Sequence, residues 1–142
     1  MPAERKLTGS CLCGAVKITA TAEEPTITVC HCDMCRRWSS GPYMEVTCQK
    51  VSFDGAENIG RIRSSDWAER GFCAKCGSNL FYHIIDSPEY QISAGLIDDP
   101  SDLQMSLQVF TDRKPQFYDF ANKTKMMTGV EVYAKFAPPT DD

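Results

Sequence analysis

Apolar and polar residues alternate along most of this chain with the two-residue period of strands that have one face in water. Val16, Ile18 and Ala20 alternate with Lys17 and Thr19, so residues 9–20 are expected to form one strand. Residues 26–30 predict a second, after a turn at Ala22-Glu23-Glu24-Pro25. Residues 43–48, 50–53 and 59–63 predict three more, punctuated by Asp54-Gly55 and Asn58. Residues 79–85, 90–94 and 104–110 complete the set, the last with Met105, Leu107 and Val109 alternating. Helical signals are few. One short helix is expected to run from the central cysteines toward Trp38. Thr128-Gly129-Val130-Glu131 reads as a capping box opening a terminal helix over 130–136. Residues 1–8 are polar and expected to be loose, and 138–142 read as a tail. Asp98-Asp99-Pro100-Ser101-Asp102 reads as a solvated turn. No repeat or linker interrupts the pattern, which predicts one mostly β domain over residues 1–142.

Composition narrows the class. With 142 residues and 42% hydrophobic positions, the chain can build an ordinary core. It has no run of eighteen apolar residues, so no membrane-spanning helix is expected. Met1-Pro2-Ala3-Glu4-Arg5-Lys6 lacks the apolar stretch of a secretory signal, which predicts a cytoplasmic protein. The formal net charge is −4, and binding metal through thiolates would deepen it. That opposes nucleic acid as a partner, and no basic run suggests a membrane surface.

The eight cysteines change the picture most. Seven fall into Cys11-Leu12-Cys13, Cys30-His31-Cys32-Asp33-Met34-Cys35 and Cys73-Ala74-Lys75-Cys76. In a reducing compartment these spacings favour metal over disulfides. The two outer pairs supply four thiols, enough to close one zinc. The central cluster supplies three and leaves a second zinc open, the arrangement that permits chemistry. In extended backbone Cys11 and Cys13 share a face, as do Cys30 and Cys32, whereas His31 points away. A packing or hydrogen-bonding role is therefore expected for His31 ahead of a ligand role. His83 is expected to be a satisfied, half-buried histidine ahead of a ligand. Cys48 reads as a buried apolar residue. The alternative, a fourth ligand on the central zinc, would make the protein a non-catalytic zinc-binding interaction module. Arg36 and Arg37 offset the charge of the three thiolates, or grip an anionic substrate, or form a solvated helix end. The aromatic loop Arg113-Lys114-Pro115-Gln116-Phe117-Tyr118-Asp119-Phe120 either lines a pocket or packs. No general base is evident.

Three elements carry a resemblance: Gly9-x-Cys11-x-Cys13-Gly14-x-Val16, Cys30-His31-Cys32-x-x-Cys35-Arg36, and Arg70-Gly71-Phe72-Cys73-x-x-Cys76-Gly77-Ser78. Ser64-Ser65, Ala94-Gly95-Leu96-Ile97-Asp98 and Lys114-Pro115 are weaker echoes. Over about residues 7–120 the chain resembles the glutathione-dependent formaldehyde-activating enzymes and centromere protein V-like domains. The resemblance implies a β-tent of antiparallel sheets pinned by zinc, with short helices. It implies two zincs per chain, a structural one on Cys11, Cys13, Cys73 and Cys76 and a catalytic one on Cys30, Cys32 and Cys35. The implied reaction adds a thiol, glutathione, to formaldehyde or a related small aldehyde, and its reverse is a carbon–sulfur lyase reaction. Its partners are then small thiols and aldehydes. Arg36, Arg37 and Trp38, with the loop around Phe117, are where the substrate pocket is expected. A tryptophan often follows the Lys-Pro element in this family, and here Phe117 and Tyr118 stand in that place.

Overall fold

A computed structural model describes residues 4–136, which form two β-sheets and two short helices. The first sheet has the order β1 (Arg5–Ser10), β2 (Lys17–Ala22), β5 (Lys50–Asp54). The second contains β3 (Thr26–Cys30), β4 (Tyr43–Cys48), β6 (Ile59–Arg63), β7 (Ala68–Cys73), β8 (Asn79–Ile84), β9 (Tyr90–Ser93), β10 (Gln104–Val109) and β11 (Lys125–Met127). Its order is β11-β10-β3-β4-β9-β8-β7-β6. The helices are α1 (Asp33–Ser39) and α2 (Gly129–Phe136). The mostly β expectation holds, and pairing is antiparallel except where β10 runs parallel to both β3 and β11. After β9 the chain returns to the free side of β3. Residues 110–124 then carry it back over that end, which is what a parallel neighbour requires. Among the described residues no helix is long and apolar enough to cross a membrane.

Alternation places the core. Leu7 of β1, Ile18 and Ala20 of β2, and Val51 and Phe53 of β5 meet Val46, Cys48, Phe81 and Ile92 of the larger sheet. Phe81 lies fully buried and packs on Phe53 and Tyr90 with ring centroids 5.3 and 5.0 Å away. Removing a ring of this size from water is worth about 1.5–3 kcal/mol. Gly71 stands opposite Phe81 on β7, and a Cβ there would come 2.3 Å from the ring. The glycine is what lets the ring lie flat against the strand.

Three sequence expectations change. Residues 5–8 are not loose: they belong to β1. Leu7 and Gly9 face inward, and the polar side chains between them hid the strand. The acidic turn holds β1 down, with Arg5 paired to Asp102 and donating to the Asp99 carbonyl at 2.6 Å, while the Thr8 hydroxyl donates to Asp98 at 2.9 Å. Residues 9–20 are not one strand. Gly14 adopts φ 82°, and the Gly14 N–H donates to the Cys11 carbonyl at 3.1 Å, so the chain turns at the first cysteine pair. Two strands are additional. β7 was masked by Glu69 and Arg70, and β11 is only three residues long. The capping box forms: Thr128 N–H donates to Glu131 Oε1 at 2.7 Å, and Glu131 N–H to Thr128 Oγ1 at 3.3 Å.

Candidate metal centres

The four outer thiols meet where two turns meet. Cys11 and Cys13 lie between β1 and β2, while Cys73 ends β7 and Cys76 lies in the turn to β8. All four Sγ atoms fall within 4.8 Å of one another. Cys11 and Cys13 are 3.7 Å apart, Cys13 and Cys73 3.8 Å. A zinc–sulfur bond of ~2.3 Å gives a tetrahedron edge of ~3.8 Å, which these two separations match. Local structure fixes them there. Cys73 N–H donates to the Ser78 carbonyl, Gly77 N–H to the Cys73 carbonyl, and Gly77 takes φ 81°. Leu12 N–H donates to Ser78 Oγ at 3.0 Å and ties the two turns together. Val16 N–H donates to Cys11 Sγ at 3.3 Å. The Ser78 hydroxyl, helped by its own backbone N–H and that of Cys13, holds the Cys76 thiol down to about 5. These are the surroundings of a thiolate, and all eight cysteines are unpaired thiols. The cluster pins the small sheet to the large one.

Cys30, Cys32 and Cys35 form a second group, again within 4.8 Å of one another. Cys30 ends β3, Cys32 caps α1, and Cys35 lies in its first turn, its N–H donating to Cys32 Sγ at 3.3 Å. Hydrogen bonds from the Cys30 and Cys35 thiols outweigh burial and make Cys32 the most acidic of the three. The Arg70 guanidinium donates twice to Cys35 Sγ, each at 3.6 Å. Arg70 is 3% exposed, and its guanidinium carbon lies 5.1 Å from the Trp38 ring centroid and 4.8 Å from that of Tyr82. A trithiolate around a divalent ion keeps one net negative charge, and a buried guanidinium is what that charge calls for.

Both sequence candidates for a fourth protein ligand are engaged elsewhere. Cys48 faces the core on the opposite side of β4, its thiol 3.6 Å from the Val46 carbonyl and pushed up to about 12 by burial. His31 is fully buried and uses both ring nitrogens. Nε2–H donates to Gln108 Oε1 at 2.9 Å, and the Tyr118 hydroxyl donates to Nδ1 at 2.7 Å. Gln108 then donates to Thr124 Oγ1 at 3.1 Å and Thr124 to the Lys125 carbonyl at 2.9 Å, a direction of bonding that assigns this tautomer. Burial lowers the His31 pKa and keeps it neutral. His83 lies between Glu69 at 2.9 Å and the Ser87 carbonyl at 2.8 Å, stacked 4.0 Å from Tyr90.

The predicted substrate residues separate. Trp38 packs edge-on against Tyr43 at 5.4 Å and walls the three-thiol cluster with Arg70. Arg36 turns to the His31 carbonyl at 3.1 Å and to Asp33 at 2.7 Å. Arg37 is exposed on α1. Phe117 is 79% exposed, while its neighbour Tyr118 packs inward on His31. Two residues at the site were not foreseen. Arg70 was hidden by its place in an unrecognised strand. Its alternation with Ala68 in the buried pattern of β7 is the signal that could have found it. Glu45 has no signal in the sequence beyond its place in the strand expected over residues 43–48. It lies on the face of β4 that also carries Tyr43 and Thr47, next to Thr28 of β3 and Ser93 of β9.

The profile of the family described as glutathione-dependent formaldehyde-activating enzyme matches residues 6–113, a stretch that contains both cysteine clusters. The chain belongs to that family. A Schizosaccharomyces pombe protein named an uncharacterized lyase is 44% identical over 126 residues, spanning 87% of this chain and 92% of its own. A crystal structure of a Rhodobacter sphaeroides protein aligns with TM-score 0.57 and 23% identity over 70% of this chain and 99% of its own, and shows the same fold. In this formaldehyde-activating family member, the two cysteine clusters could hold metal ions.

Proposed function

We propose that this protein is a zinc-dependent carbon–sulfur lyase that adds a thiol, glutathione, to formaldehyde or a related small aldehyde and cleaves the adduct in reverse. Family membership supports a lyase-type, formaldehyde-activating reaction. The observation that carries the finer reading is the contrast between the clusters: four thiols at tetrahedral spacing in one, and three beside a charged, aromatic wall in the other. Cys11, Cys13, Cys73 and Cys76 would hold a structural zinc, and Cys30, Cys32 and Cys35 a second, catalytic one. Zinc at the three thiols would supply Lewis acidity to an incoming thiol or carbonyl oxygen. Arg70 offsets the charge of the thiolates, and Trp38 and Tyr82 shield that contact from water. Arg37, exposed on α1, is the cation assigned to a carboxylate of glutathione, because Arg36 is held by Asp33. The free thiols suit a reducing compartment such as the cytoplasm.

Ionising the thiol explains only part of such catalysis. A thiol of pKa about 8.5 is already roughly 3% thiolate at pH 7, so full ionisation gains at most ~30-fold. Holding thiol and aldehyde together supplies the rest, through effective molarities that reach about 10⁵ M and more. The test is the exchange of formaldehyde between hydrate and glutathione adduct, followed by NMR with the zinc-loaded protein. Accelerated exchange that disappears in Cys32→Ser supports the assignment. Unaccelerated exchange contradicts it.

A further inference from the structure

Asp33 is held by Arg36 and Arg113, Glu69 by Arg61 and His83, and Glu89 accepts from Gln49. Among the half-buried acidic side chains of the described residues, Glu45 alone has neither a hydrogen bond nor an ion pair. A desolvated carboxyl without a partner costs stability, and such groups concentrate at functional sites.

Its position is fixed by strand register. β4 pairs with β3 so that Tyr43 stands opposite Cys30 and Glu45 opposite Thr28. On the other side Glu45 stands opposite Ser93 of β9. Paired residues share a face, so Glu45 lies on the same face as Cys30 and one pleat away, a diagonal of about 7–8 Å between backbones. Leu107 and Val109 of β10 continue that face beside Thr28 and Cys30, whereas on β4 and β9 the neighbours of Glu45 are polar. Tyr43 donates to the Gln91 carbonyl at 2.7 Å and accepts from Ser93 at 3.0 Å, and Thr47 donates to Gln91 Oε1. The titratable and charged groups around Glu45 are Tyr43 on its own strand, Cys30 on β3, Cys32 at the start of α1, Tyr82 on β8 and Arg70 on β7. Burial pushes the Glu45 carboxyl up to about 8, with Arg70 pulling it down and Cys32 pushing it up. A half-buried carboxyl with no hydrogen bond or ion pair, on the face that carries Cys30, is placed to take and return a proton.

We propose that Glu45 carries the proton between sulfur and oxygen in the thiol–aldehyde reaction, a role that rests on the function proposed above. Glu45 as carboxylate takes the proton of the incoming thiol. The sulfur forms a bond to the carbonyl carbon, the π pair of the C=O bond moves onto oxygen, and Glu45 returns the proton to that oxygen. In reverse, Glu45 takes the hydroxyl proton while the C–S bond breaks and the C=O bond re-forms, then gives the proton to sulfur. One proton moves from sulfur to oxygen, and no oxidant or further reactant is needed. Glu45 is also the base that the sequence did not reveal.

The experiment compares the wild-type, Glu45→Gln and Glu45→Asp holoproteins in the formaldehyde–glutathione exchange assay, with zinc content and pH profile measured on each. The expected result is full zinc content and a kcat lowered about 100-fold in E45Q. The KM for glutathione should stay near the wild-type value, E45D should recover part of the rate, and the wild-type limb near pH 8 should be missing from E45Q. A wild-type rate and pH profile in E45Q would overturn the assignment while leaving the proposed function intact. Zinc loss in both variants would make Glu45 a structural residue and also overturn it. A wild-type protein without activity would refute the function itself, and this role with it.

Discussion

Replacing Arg70 by methionine removes a buried charge while keeping most of the side-chain volume. The guanidinium makes two N–H···S contacts of 3.6 Å to Cys35 and lies against Trp38 and Tyr82. With the three-thiol site loaded, those contacts are outer-shell support for a ligand, and losing such support costs about 10–100-fold in metal affinity. That is ~1.4–2.8 kcal/mol. Methionine retains part of the contact with the two rings, so the cation–π attraction, about 2 kcal/mol for each ring at a desolvated site, is lost only in part. The assay is competition with a chromophoric zinc chelator, which resolves two binding steps. In R70M the weaker step should shift by about 10–100-fold and the tighter step should not move. Arg70→Lys keeps the charge but not the planar fork and should fall between. Equal shifts in both steps, or no shift in either, would refute the assignment of Arg70 to the three-thiol site.

Other changes report on other parts of the account. Gly71→Ala would place a Cβ 2.3 Å from Phe81, and overpacking of this kind should cost about 1–3 kcal/mol or more, read as a lower urea midpoint. Tyr118→Phe leaves His31 Nδ1 without its donor and should cost about 1–2 kcal/mol, with zinc stoichiometry unchanged by elemental analysis. The folded pKa of Glu45 is raised to about 8, whereas an unfolded glutamate titrates near ~4.3. Between those values the unfolded chain binds fewer protons, so wild-type stability falls as pH rises through the window. E45Q should therefore gain in Tm over wild type at pH 8.5 and lose that advantage near pH 4.5. A constant Tm difference across this range would show that burial does not shift Glu45.

The two cysteine clusters were legible because cysteine spacing is a local property. Cys11-x-Cys13 and Cys73-x-x-Cys76 declare themselves within a few residues, and the separation into four thiols and three survives in the fold. Period-two alternation likewise located β3, β4, β9 and β10, where no turn interrupts it. The missed elements depended on partners far along the chain. β1 looks polar until Asp98, Asp99 and Asp102 hold Arg5 and Thr8, from 90 to 97 residues away in sequence. Residues 9–20 look continuous because one left-handed glycine, Gly14, breaks the extension without breaking the alternation. Arg70 reads as a surface residue in the sequence because its compensation, a buried sulfur and two aromatic rings, comes from α1 and β8. Glu45 is the converse case. A polar residue in a strand is expected to face water, and only the register with β3 and β9 reveals that it faces the site.

The central claim is that four thiols close one zinc and three leave another open. Native mass spectrometry of the protein with and without glutathione tests it most directly. The account predicts two zincs per chain, of which one is removed by mild chelation and, before removal, carries one glutathione. Cys32→Ser should retain one zinc, remain folded and carry no glutathione. Two zincs that resist chelation equally and bind no glutathione would contradict the open site, and unfolding of C32S would contradict the division into structural and catalytic centres.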